Sequence, residues 1–312
     1  MTNSNETLKT KDAVKNHWVN TIMPNATRPY LRLARADRPI GTWLLLWPCW
    51  WSIALASSNG TLPDFWLLGL FAIGAFVMRG AGCTLNDIVD RNYDGMVERT
   101  ALRPIPAGEV SLLQAFIFMG FLCLIGLAVL LELNPFTITL GVSSLSLVVI
   151  YPFMKRITYW PQLVLGLTFN WGALMGWAAV TGNLGPAPLA LYVAGIFWTL
   201  GYDTIYAHQD KDDDILIGVK STALKLGDKT KSWLVFFYTT ALLLFAYAGV
   251  SAGGGMIFVG ATALMAIQLF WQVKTVNIED SENCLAVFKS NTNAGWILFL
   301  GIIADKMFNI PL

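Results

Sequence analysis

Nine apolar runs, each near the twenty or so residues a helix needs to cross a bilayer, follow one another along the chain. They cover residues 40–58, 65–86, 112–132, 135–153, 160–181, 188–207, 232–250, 254–273 and 292–309. Turn-forming stretches punctuate them, among them NGTLPD at 59–64, TGNLGPAP at 181–188 and SAGGG at 251–255. The join ELNP at 132–135 is so short that the third and fourth runs are expected to form an antiparallel hairpin. The pattern predicts an all-α membrane protein with nine transmembrane helices. A polar tail is expected over residues 1–30 and a single polytopic domain over 31–312. Composition agrees, because only 13% of residues are charged, against about 25% in soluble domains.

The charges are sorted by position. Of 21 Lys and Arg residues, 19 fall in the N-terminal tail or in the loops after the second, fourth, sixth and eighth runs. Arg79 lies inside the second run, and only Lys306 falls on the opposite side. By the positive-inside rule the N-terminus is cytoplasmic, and an odd number of spans puts the C-terminus outside. A formal net charge of +1 gives no reason to expect a nucleic-acid partner. The first 38 residues contain no apolar signal core and the first 27 no arginine, which argues against a signal peptide and a transit peptide. A bacterial inner membrane is therefore expected, with the mitochondrial inner membrane as the alternative.

Two acidic stretches, both predicted on the cytoplasmic side, interrupt this picture. NDIVDRNYD ends the second run and places Asn86, Asp90 and Asp94 at i, i+4 and i+8, along one helix face. DTIYAHQDKDDD ends the sixth run and spaces Asp203, Asp210 and Asp214 by seven and four residues, one face if the helix continues. Carboxylates at a membrane edge repel one another unless a cation sits among them. Hard divalent ions such as Mg²⁺ take such oxygens and bring phosphates with them. Arg79, Arg91, Arg99, Arg103, Lys155, Arg156 and Lys220 are the cations that could hold the remaining phosphate charge. Together these groups could make diphosphate a leaving group. Asp87, Glu98, Asp212 and Asp213 are equally well explained as solvated loop residues. His17 reads as surface and His208 as a helix-face residue. Cys49, Cys83, Cys123 and Cys284 lack metal-site spacing and read as small packing residues.

Four ordered blocks extend the two motifs: RADRPIGTWLLLWP at 35–48, MRGAGCTLNDIVDRNYDGMVERTALRPIPAG at 78–108, YPFMKRITYWPQ at 151–162 and YDTIYAHQDKDDDILIGVKSTA at 202–223. With them the chain past residue 30 resembles the UbiA-type intramembrane aromatic prenyltransferases. The resemblance implies nine transmembrane helices around a central cavity that opens sideways to lipid, and Mg²⁺ bridging a diphosphate to Asn86, Asp90 and Asp94 on one side and to Asp210 and Asp214 on the other. It implies prenyl transfer from an allylic polyprenyl diphosphate to an aromatic ring. The blocks at 35–48 and 151–162 favour 4-hydroxybenzoate as acceptor. Haem, homogentisate, a naphthoate and a chlorophyllide are the alternatives within the family. Association with other ubiquinone-pathway enzymes is a further expectation. Arg38, directly before the first run, is the candidate for the acceptor carboxylate, with Arg156 next. A cation transporter is the reading from another class, and acids at a membrane edge beside basic loops argue against it.

Overall fold

The computed structural model describes residues 17–95 and 100–311, and among these the regular structure is wholly helical. The helices are α1 (Trp18–Thr21), α2 (Arg28–Leu33), α3 (Ile40–Ala56), α4 (Phe65–Asp94), α5 (Leu112–Leu131), α6 (Pro135–Ile157), α7 (Pro161–Phe169), α8 (Gly172–Thr181), α9 (Pro186–Ala207), α10 (Lys211–Ile217), α11 (Thr222–Leu226), α12 (Thr230–Ser251), α13 (Met256–Thr275), α14 (Ser281–Lys289) and α15 (Asn291–Phe308). A helix, or in one case the pair α7–α8, lies over each predicted apolar run. Six stretches among the described residues are long and apolar enough to span a membrane: α4, α5, α6, α7–α8, α11–α12 and α13. The helix α3 is apolar but has 17 residues. α9 and α15 are diluted by polar side chains, Thr199, Asp203 and Thr204 on one and Asn291, Asp305 and Lys306 on the other.

The chain divides into two compact units by internal contacts. The first joins the N-terminal segment through Pro39 to residues 77–125. Leu33 of α2, Ile88 of α4, Val110 and Ala115 form one apolar cluster there, and Val77, Ala81 and Leu122 another. The loop 100–111 is pinned at both ends. The Thr100 hydroxyl donates to the Asp94 carbonyl at 2.8 Å, and Glu109 pairs with Arg32 of α2.

The second unit holds residues 40–76 and 126–312. Its main core runs through Trp47, Trp51, Trp198, Tyr202, Tyr238, Phe245 and Phe258. α3 and α8 approach closely because α8 carries Gly172 and Gly176 four residues apart. A methyl group at Gly176 would meet the Cys49 carbonyl oxygen at 2.5 Å. The same contact lets the buried Ser52 hydroxyl donate to the Ala173 carbonyl. The fifth predicted run breaks at Asn170, whose buried amide donates to the Gly166 carbonyl and to the Thr199 hydroxyl, each at 2.8 Å. A side chain that bonds its own helix backbone in this way ends a helix that hydropathy alone would continue.

On the far side of this unit the turn between α12 and α13 is fastened by α15. Asp305 accepts from the Gly255 and Phe258 amides at 2.9–3.1 Å, capping the start of α13. Lys306 donates to the Ala252 carbonyl at 3.0 Å, at the end of α12. Acid on amides and base on carbonyls match the dipole signs of the two helix ends.

Candidate active site

In the first unit α4 runs unbroken to Asp94, so Asn86, Asp90 and Asp94 share a face of an observed helix. Asp87 belongs to the same stripe, because seven residues bring it within about 20° of Asp94 around the axis. Asp87 and Asp90 are 0% exposed and Asp94 is 7% exposed. Burial of three carboxylates on one helix end is costly without counter-charge, and two arginines supply it to Asp87 and Asp94. Arg35 Nη2 reaches Asp87 Oδ1 at 2.7 Å. Arg103 Nη1 lies 3.2 Å from the same oxygen and 2.8 Å from Asp94 Oδ2. Asp87 is thus no solvated loop residue. It anchors two guanidinium groups.

The other candidates of this unit differ in surroundings. Arg79, half-buried one turn before Cys83, donates to that thiol at 2.9 Å. Arg91 is exposed and donates to the Ile88 carbonyl. Arg38 is half-buried, with Nε 3.4 Å from Asp37 Oδ2. Arg99 and Glu98 lie outside the described residues.

In the second unit the other acidic stretch departs from the expected single helix. α9 stops at Ala207, His208–Asp210 form a 3₁₀ turn, and α10 begins at Lys211. Each 3₁₀ residue turns the chain about 20° further than an α residue. Asp203 on α9, Asp210 in the turn and Asp214 on α10 therefore belong to three elements rather than one continuous face. All three are half-buried.

A cationic cluster is built beside this stretch from the end of α6. Gly218, left-handed at φ +70°, ends α10, and the chain then docks through the Lys220 amide on the Lys155 carbonyl at 2.8 Å. The Lys220 ammonium donates to the Ile157 carbonyl at 3.1 Å and lies 5.5 Å from the Tyr159 ring centroid. Lys155 and Arg156 occupy the last turn of α6, where cations suit the helix dipole. The Thr222 amide donates to Gln162 Oε1 of α7 at 3.1 Å, completing the dock.

His208 is buried, with Nε2 3.0 Å from the Thr230 hydroxyl. Burial, helped by the Lys211 charge, pushes its pKa down to about 4. It is neutral at physiological pH and poorly matched to proton transfer there.

The sequence alone assigns Asp87 no firm role and does not single out Arg35. The partners of Asp87 lie 52 and 16 residues away, a pairing that helical spacing does not reveal. The available signal was Arg35 itself, inside the block RADRP just ahead of the first apolar run.

An all-helical protein with membrane-length apolar helices, and with carboxylates and arginines buried together at a helix end, is built to handle a charged group beside lipid. The chain belongs to the UbiA prenyltransferase family, whose profile matches residues 45–301. It is 52% identical over 286 residues to the mitochondrial 4-hydroxybenzoate polyprenyltransferase of Rattus norvegicus, covering 91% of this chain and 76% of the relative. The protein of the same name from Arabidopsis thaliana is 50% identical over 292 residues, covering 93% and 72%. Among solved structures, the apo UbiA homologue from Aeropyrum pernix K1 superposes with a TM-score of 0.71 at 26% identity, over 84% of this chain and 97% of that one. A UbiA homologue from Archaeoglobus fulgidus bound to GPP and Mg²⁺ shares the fold, with a TM-score of 0.64 at 16% identity over 90% and 99%.

Proposed function

We propose that the chain transfers a polyprenyl group from an allylic polyprenyl diphosphate to the ring carbon ortho to the hydroxyl of 4-hydroxybenzoate, a step of ubiquinone biosynthesis. The observation that carries this reading is identity of about half over nine-tenths of the chain to relatives named for that activity.

The residues suit the chemistry. The donors on α4 are hard oxygens, Asn86, Asp90 and Asp94, with no thiolate or imidazole among them. Among the described residues no three acidic, His or Cys side chains gather into a ready-made metal cage. Mg²⁺ commonly binds through one or two carboxylates and completes its shell with substrate phosphate and water, so this donor set fits. Asn86, Asp90, Asp94, Asp210 and Asp214 are the groups that would hold it. When bound, Mg²⁺ would neutralise the diphosphate and make it a better leaving group.

The allylic carbon–oxygen bond breaks with both electrons leaving on diphosphate. The ring carbon ortho to the phenol hydroxyl forms the new carbon–carbon bond, and loss of the ring proton restores aromaticity. An aspartate of the site or the departing diphosphate takes that proton. Arg79, Arg103, Lys155, Arg156 and Lys220 are the candidates to share diphosphate charge, with Asp203 beside the donor and Arg38 on the acceptor carboxylate. Nine membrane crossings are the reading that the nine apolar runs support, with both acidic stretches on the side of the basic loops. Because the relatives are named mitochondrial, the mitochondrial inner membrane is favoured over the bacterial one. Other ubiquinone-pathway enzymes are the partners this role would bring.

The test is a membrane assay with labelled 4-hydroxybenzoate, an allylic polyprenyl diphosphate and Mg²⁺, the product identified by mass spectrometry. Transfer should vanish in EDTA and return with Mg²⁺. Full activity in metal-free membranes would refute the part assigned to the ion.

A further inference from the structure

We propose that Arg35 and Asp87 are a positioning pair that holds Arg103 beside the carboxylates of α4, where Arg103 receives the diphosphate of the prenyl donor. The inference deepens the function proposed above and rests on it.

The first observation is in the backbone. α2 closes with the Ala36 amide on the Leu31 carbonyl at 2.9 Å and the Arg35 amide on the Arg32 carbonyl at 3.0 Å. That is the Schellman pattern, whose left-handed position normally carries glycine. Here it carries Arg35, at φ +57°. A side chain tolerated in that conformation needs a compensating contact. Arg35 has one, because its guanidinium reaches buried Asp87 at 2.7 Å and also donates to the Arg32 carbonyl at 3.0 Å.

The second observation is in the hydrogen bonds of Arg103. Its Nη1 is shared between Asp87 and Asp94. Its Nε is buried without a hydrogen-bond partner among the described residues, as is Asp87 Oδ2. A buried N–H of a guanidinium left unfilled is costly. An anionic oxygen is the ligand that fills it best, and arginine presents its donors as a fork suited to phosphate. Asp87 therefore tethers Arg103 by one nitrogen and leaves the rest of the fork for the donor. Without that tether Arg103 would turn fully onto Asp94 and compete with the metal for its oxygens.

Arg35→Gly separates positioning from folding, because glycine suits the left-handed closure and keeps the end of α2 intact. Arg35→Gly combined with Asp87→Asn removes both charges, so neither is left buried alone. The readouts on the full chain in detergent are Mg²⁺-dependent binding of a prenyl thiolodiphosphate, followed by tryptophan fluorescence, the melting temperature, and the KM of each substrate. Both variants should bind the analogue about tenfold more weakly, the scale of one charge-assisted hydrogen bond. The donor KM should rise with it, while the 4-hydroxybenzoate KM stays near wild type in both variants and the melting temperature stays near wild type in the double variant, where no buried charge is orphaned. Unchanged analogue affinity would overturn the proposal, as would equal losses for both substrates together with a lowered melting temperature. A wild-type chain that binds the analogue yet makes no product from 4-hydroxybenzoate would overturn the function reading alone.

Discussion

Asp210 and Arg38 carry opposite expectations at the level of single residues. Asp210→Ala should remove an oxygen ligand whose hold strengthens as charge develops on the leaving diphosphate, so the loss should fall mainly on kcat. Arg38→Ala should raise KM for 4-hydroxybenzoate and leave the donor KM nearly unchanged. Loss of a charge-assisted pair corresponds to roughly ten- to a hundredfold in kcat/KM for that substrate. Two-substrate kinetics on purified Asp210→Ala, Arg38→Ala and Arg156→Ala in one detergent decide between them. A donor-only defect in Arg38→Ala would move that residue to the diphosphate. The acids at helical spacing on α4 were legible in the sequence, because spacing is local. The burial of Asp87 was not, since the arginines that permit it come from the end of α2 and from the loop at 100–111.

At the level of elements, all nine apolar runs are helical where hydropathy placed them. The departures are two local breaks. Asn170 interrupts the fifth run by bonding the Gly166 carbonyl, and the 3₁₀ turn at His208–Asp210 divides the second acidic stretch. Asn170 is one polar residue in a run that stays apolar on average, and the 3₁₀ turn lies past the end of the sixth run, so neither is visible in an apolar pattern. Helix ends are also where single side chains matter most. Asp305→Ala should leave the Gly255 and Phe258 amides at the start of α13 without their acceptor, lowering stability by about 2–4 kcal/mol. Asp305→Asn, which keeps an acceptor oxygen, should cost less. Thermal unfolding in detergent checks both, and equal melting temperatures for Asp305→Ala and wild type would contradict the capping role.

For the molecule as a whole, the bias of basic residues predicts which loops share a side. On a background without the native cysteines, a cysteine introduced in the loop at 181–188 should react with an impermeant thiol reagent added on the side away from the basic loops. One introduced at 103–108 should not, and the reverse pattern would invert the topology. Lys306 broke the charge rule in the sequence, and its contact with the Ala252 carbonyl accounts for it. That contact also sets an order of events during synthesis. The hairpin of α12 and α13 leaves the ribosome some fifty residues before the side chains that close its turn. Until α15 arrives, the nascent hairpin waits with an open carbonyl on one arm and open amides on the other. The last helix made is therefore a clasp, and a ribosome stalled short of residue 305 would leave the α12–α13 hairpin with its turn unfastened.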